Sequence, residues 1–291
     1  MRKIGVVLGG GGAKGLAHIG FLKVLDELRL RPAAVSGCSM GSIIGALYCM
    51  GKSGKDIERI ANEITIKEVF KMASGKGAKN RRLEEVLNKL FEGKRFEDLQ
   101  IPLYVNSVDI DTGEEVIFNK GDLARAVRAS ISLPFIFRPA IINGRALVDG
   151  GVKDNLPIEA LDSEMLDGII AVDVGSINMS GMTTESTEER KRKRKSPSLI
   201  KAFGKSLAIM QSNEHIVDFY KKKSDLLITP NLERYSIIDF GKRKKIIAIG
   251  EKVAREVERK IVRIFRYKIR GKTMARFFDK QIKRVISKPL Y

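Results

Sequence analysis

Short unbroken apolar runs alternate along the chain with longer stretches whose apolar positions recur at helical spacing. Ile4–Leu8 is a continuous apolar run closed by Gly9, the pattern of a short buried strand. Residues 14–28 follow with Leu16, Ile19, Leu22, Leu25 and Leu28 on one helical face. A second short strand starts at Pro32-Ala33 and ends at Gly37, and residues 41–50 form an apolar helix closed at Gly51. Strand, glycine turn and helix, twice in succession, predict a parallel α/β sheet.

Residues 53–100 are charged and helical in period, interrupted by glycine and lysine at 75–79, and read as an inserted helical region bordering a site. Strands are expected over 103–110 and 115–118, joined at Asp111-Thr112-Gly113, then a helix over 121–130. Residues 140–148 form a hairpin turning at Asn143-Gly144. Apolar runs at 168–174 and 226–229 complete the sheet. Residues 178–198 have no apolar periodicity and read as a mobile loop.

Length and charge sharpen this picture. A chain of 291 residues can bury one large α/β core, and its 43% hydrophobic content excludes wholesale disorder. The net charge of +19 is concentrated. Residues 242–291 hold eighteen Lys or Arg against four acids, Arg190 to Lys195 are all basic, and the remainder is nearly neutral. The expected organisation is one domain over 1–240 and a basic helical extension over 241–291. Ile249, Val253, Val257, Ile261 and Ile264 would pack the start of that extension on the domain. Towards its end, Met274, Phe277, Phe278, Ile282, Val285 and Ile286 oppose Arg276, Lys280, Lys283, Arg284 and Lys288. Such a helix suits an anionic membrane surface, a packing role, or, less well, nucleic acid. Cys38 and Cys49 are the only cysteines and the first residues are too short a run for a signal peptide, which points to a cytoplasmic setting, peripheral to the inner face of the membrane.

Candidate chemistry lies at three glycine-rich places. Gly10, Gly12 and Gly15 match G-x-G-x-x-G, but the next strand ends in Val35-Ser36-Gly37 with no acid for a ribose, and Leu16 follows Gly15 where a P-loop needs Lys and then Ser or Thr. What remains is a glycine-lined helix N-terminus suited to developing negative charge. Gly37-Cys38-Ser39-Met40-Gly41 is a G-x-S-x-G between an apolar strand and an apolar helix, the setting of a nucleophile elbow; as a bare turn, Ser39 would simply cap the helix. A serine nucleophile needs a proton acceptor. His18 and His215 are the only histidines and nothing couples either to the elbow, whereas Asp149 ends a strand and precedes Gly150-Gly151.

Together these segments resemble the patatin-like phospholipases. Gly10-Gly11-Gly12-Ala13-Lys14-Gly15, the Ser39 pentapeptide and Asp149-Gly150-Gly151 fall in that family's order, and Ala126-Val127-Arg128-Ala129-Ser130 and Val152-Lys153-Asp154-Asn155-Leu156-Pro157 extend the match. The resemblance implies a three-layer α/β/α sandwich with a mainly parallel sheet, and a Ser39–Asp149 dyad without histidine. Gly10, Gly11 and Gly12 would donate to the oxyanion, with Lys14, Gly15, Gly37, Gly41, Gly150 and Gly151 supporting the motifs. It implies hydrolysis of acyl esters of lipids with no metal or cofactor; transfer of the acyl group to another alcohol, and a non-catalytic scaffold, remain alternatives. One departure stands out: Ile131-Ser132-Leu133-Pro134-Phe135 carries Phe135 where relatives usually have glycine after the proline, which predicts an altered acyl site.

Overall fold

The computed structural model describes residues 2–63, 79–162, 164–175 and 199–267. The expected basic loop at 178–198, all but the last residue of the glycine-lysine interruption at 75–79, and the amphipathic end of the tail lie outside the described residues.

The strands are β1 Ile4–Leu8, β2 Ala34–Gly37, β3 Leu103–Asp109, β4 Glu115–Phe118, β5 Ala140–Ile142, β6 Arg145–Asp149, β7 Gly168–Val172 and β8 Leu226–Ile228. They form one mixed sheet in the order β5-β6-β3-β2-β1-β7-β8, with β4 also on β3. The five strands from β8 to β3 are parallel; β4 and β6 run against β3, and β5 against β6. The β5–β6 turn uses Asn143 and Gly144 at positive φ, as the Asn-Gly pair predicts.

The register around β3 matters most for the site. Val105 is flanked by Gly37 of β2 and Phe118 of β4, while Ser107 is flanked by Val116 of β4 and Asp149 of β6. Strands β2 and β6 therefore follow one another along the same edge of β3. The C-terminal end of β2 meets the C-terminal end of β6 there.

Helices cover both faces. They are α1 Ala17–Glu27, α2 Met40–Cys49, α3 Gly54–Asn62, α4 Lys79–Leu90, α5 Leu123–Ser130, α6 Leu199–Gln211, α7 Glu214–Lys223, α8 Arg243–Glu256 and α9 Glu258–Arg266. Side chains of β1 and β7 alternate between the faces: Ile4, Val6, Leu8, Ile170 and Val172 enter the large core with α1 and α2, while Val7, Ile169 and Ala171 enter a smaller core with Tyr220 of α7. Ile246, Ile247, Ala254, Ile261 and Phe265 carry α8 and α9 into the large core. Helices α1 and α8 approach so closely that a Cβ at Gly250 would collide with the Ala17 carbonyl, and one at Gly20 with the Ile247 carbonyl.

Candidate active site

Cys38 and Ser39 alone separate β2 from α2, and Ser39, the residue just before the helix, has φ 51° and ψ −122°. This left-handed conformation is costly for a non-glycine residue and is held by the surrounding backbone. Gly37 and Gly41 make it attainable, because a Cβ at Gly37 would lie 2.6 Å from the Gly41 carbonyl oxygen and one at Gly41 would collide with the Leu8 carbonyl. The Ser39 N–H donates to Ser130 Oγ at 2.9 Å, which ties the elbow to the end of α5.

Asp149 ends β6. Ser39 Oγ donates to Asp149 Oδ2 at 2.6 Å, across 110 residues of chain. The other oxygen, Oδ1, accepts from the Gly151 N–H at 2.9 Å and from the Cys38 thiol at 3.6 Å. Asp149 is only 2% exposed. Burial raises its pKa to about 6, against the lowering pull of the hydrogen bonds from Ser39, Gly151 and Cys38. A carboxylate with that pKa is a far better base than a solvated one. Burial and the neighbouring carboxylates, Asp149 foremost, push the Cys38 thiol well up, so it stays protonated and available as a donor.

The glycine loop divides into two parts. Gly10 is clamped by Asn155, whose carbonyl accepts the Gly10 N–H at 3.0 Å and whose Nδ2 donates to the Gly10 carbonyl at 3.1 Å. Gly11 and Gly12 instead line the pocket that holds Ser39 and Asp149, and no hydrogen bond among the described residues engages their N–H groups. The Gly10 N–H is thus already engaged and does not fit the expected role, which leaves Gly11 and Gly12 of the expected trio. Gly12 sits at φ 55° with no room for a Cβ against Ile237, and the Ile237 carbonyl accepts the Ala13 N–H at 2.8 Å. Lys14 lines the same pocket; burial lowers its pKa, opposed by the charges of Asp173 and Glu233. Gly15 leaves space that Met40 fills, and Gly150 packs on the Asn106 side chain.

The rest of the pocket is apolar: Ile131, Leu133 and Ile136 after α5, Leu207 and Ala208 of α6, and Ile237 and Ile238. Gln211 at the end of α6 donates to the Gly151 carbonyl at 2.8 Å, fastening that helix over the dyad. The pocket suits an ester carbonyl beside a hydrocarbon chain.

Neither histidine lines the pocket. His18 is fully buried in α1 and donates from Nε2 to the Gly9 carbonyl at 2.8 Å, while burial lowers its pKa to about 4 and keeps it neutral. His215 is exposed at the start of α7. Phe135 also lies elsewhere than expected: Leu133 and Ile136 face the pocket while Phe135, at φ 67°, points out and is 81% exposed. The left-handed backbone at this position explains why glycine suits it.

Sequence reasoning named Ser39, Asp149 and the glycine loop but not the parts that orient them. Ser130, Asn155, Gln211 and Cys38 acquire their roles through contacts between distant segments. The only local signal was that Asn155 and Ser130 fall in stretches shared with the resembled family.

Comparison with known proteins adds a family. Residues 6–162 match the family model described as Patatin-like phospholipase, which is more than half of the chain. The chain belongs to this family. Among curated patatin-domain relatives, it is 35% identical over 192 residues to the lysophospholipase NTE1 of Cryptococcus neoformans, covering 61% of this chain and 11% of that protein. It is 28% identical over 279 residues to the lysophospholipase NTE1 of Pyricularia oryzae, covering 89% of this chain and 19% of that one. The chain thus spans under a fifth of the length of these two relatives. Among solved structures it is similar to human GIVD cytosolic phospholipase A2, with a TM-score of 0.48 and 14% identity over 91% of this chain and 59% of that one.

Proposed function

We propose that this patatin-like protein hydrolyses acyl ester bonds of lipids by an acyl-enzyme mechanism. The observation that carries the proposal is the 2.6 Å hydrogen bond from Ser39 Oγ to a buried carboxylate whose pKa is raised to about 6. Ser39 Oγ attacks the ester carbonyl carbon as its proton passes to Asp149 Oδ2. The carbonyl oxygen becomes an oxyanion, stabilised by the Gly11 and Gly12 N–H groups and by the N-terminal end of α2. The C–O bond to the alcohol breaks, and the departing oxygen takes the proton from Asp149. Water then gives a proton to Asp149, attacks the acyl-serine, and Ser39 recovers its proton as the carboxylic acid leaves.

The relatives' description as lysophospholipases supports a lipid substrate, as does the apolar wall opposite the dyad. The proposed setting is a membrane surface reached through the basic segments at 190–195 and 242–291. Among the described residues no helix is long and apolar enough to cross a membrane.

Covalent labelling tests the nucleophile. Wild-type protein should be tagged by a fluorophosphonate probe and should turn over a chromogenic medium-chain ester. Ser39→Ala should lose both, by about three or more orders of magnitude in turnover, while keeping its circular dichroism spectrum. Undiminished labelling of Ser39→Ala would overturn the assignment.

A further inference from the structure

Phe135 combines two unfavourable features. It is a bulky residue in left-handed backbone, φ 67°, and its ring is 81% exposed. The segment around it is nevertheless firmly held. The buried Arg128 guanidinium bonds Ser132 Oγ and the Arg138 carbonyl and lies over the Phe137 ring at 5.6 Å. The Ser132 carbonyl accepts the Asp149 N–H at 3.1 Å. The exposed ring is therefore presented by a braced loop and not by a frayed one.

Its neighbour shows where it is presented. The Phe135 ring packs edge-on against Phe203 of α6, centroids 5.1 Å apart. One residue on, Gly204 lines the active-site pocket, as do Leu133 and Ile136 on either side of the Pro134-Phe135 pair. Ile238 lines the pocket too and is 41% exposed, and Met210, two turns along the same flank of α6 as Phe203, is 65% exposed. The apolar pocket lining and this apolar surface are thus continuous. Arg138 and Lys205, within three residues of the aromatic pair in sequence, are exposed cations of the kind that pair with lipid phosphates.

We propose that Phe135, Phe203, Met210 and Ile238 form a rim that seats in the hydrocarbon of a lipid surface, with Phe135 as the leading wedge. The partner is an aggregated lipid, and this rests on the proposed lipid esterase function. A rim that enters the acyl layer lets a chain pass into the pocket without crossing water, which favours transfer of apolar surface. The strain at Phe135 is retained because glycine there would leave nothing to insert.

The chain has no tryptophan, so Phe135→Trp introduces a sole emitter at the wedge. The probe is zwitterionic phosphatidylcholine vesicles at high salt, where the basic segments contribute little. All measurements are made in a Ser39→Ala background so that no lipid is consumed. Emission of Phe135→Trp should shift to the blue on adding vesicles. Phe135→Gly, which suits the left-handed backbone and should fold at least as stably, should float with the vesicles roughly tenfold more weakly. With Ser39 restored, Phe135→Gly should turn over a soluble short-chain ester at the wild-type rate. Unchanged emission, equal flotation, or an equal loss on soluble ester would overturn the rim. So would a dimer that dissociates on Phe135→Gly without any effect on vesicles. Flotation and emission require no turnover, so failure of the esterase assignment, seen as ester hydrolysis surviving Ser39→Ala, is distinguishable from failure of the rim.

Discussion

At the scale of single residues, the proposed chemistry depends on one buried carboxyl with three donors. A base must be ionised to accept a proton, so kcat/KM on a soluble ester should fall as pH drops through about 6, the value to which burial brings Asp149. Cys38 adjusts that limb, because its thiol donates to Oδ1 and favours the ionised form. Cys38→Ala should move the acid limb up by roughly half a pH unit, and Cys38→Ser, a stronger donor, should move it down. Superimposable profiles for wild type and both variants would mean that the thiol only fills space. His18 titrates in the opposite sense: its lowered pKa favours the fold above its unfolded value of about 6.5, and this contribution is lost as pH falls toward 4. Acid inactivation thus has two sources, and only the Asp149 limb should be reversible on the time scale of the assay.

At the scale of elements, most of the sheet was legible because buried strands and amphipathic helices differ in period. Ile4–Leu8 and Glu115–Phe118 match expectation residue for residue, and the second helix differs by one position at each end. The first helix was expected from residue 14, but Gly12–Leu16 form a tighter 3-10 turn before α1 begins. Helices α6 and α7 were not anticipated, although α6 supplies one wall of the site. Their apolar residues serve a pocket wall and a second core. The shared edge of β3 was equally invisible, since the register is a relation between strands. Close α1–α8 packing gives the prediction at this scale. Gly250→Ala should destabilise the protein by about 2 kcal/mol or more, because the added methyl meets backbone that cannot step aside. Thermal melting checks this, and an unchanged midpoint would show that the helices can part freely.

At the scale of the whole molecule, charge and chemistry are separated along the chain. Ser39, Asp149 and the glycine loop belong to a nearly neutral N-terminal portion, while the basic residues concentrate late. Electrostatic attraction to a surface is long in range and screened by salt, whereas insertion of an apolar rim is short in range and insensitive to it. Removing residues 271–291 should weaken sedimentation with anionic liposomes at low salt and leave soluble-ester turnover unchanged. Equal sedimentation of the full and shortened chains would assign that segment to packing or assembly.

The meeting of β2 and β6 on one edge of β3 has a temporal consequence. Ser39 and Asp149 are 110 residues apart, and their hydrogen bond requires β3 to have collected both partners. Such non-local pairing is among the slow events of folding. A chain still emerging from the ribosome can present the elbow long before it presents the base. On the proposed mechanism, the nucleophile would thereby stay without its base until the sheet is complete.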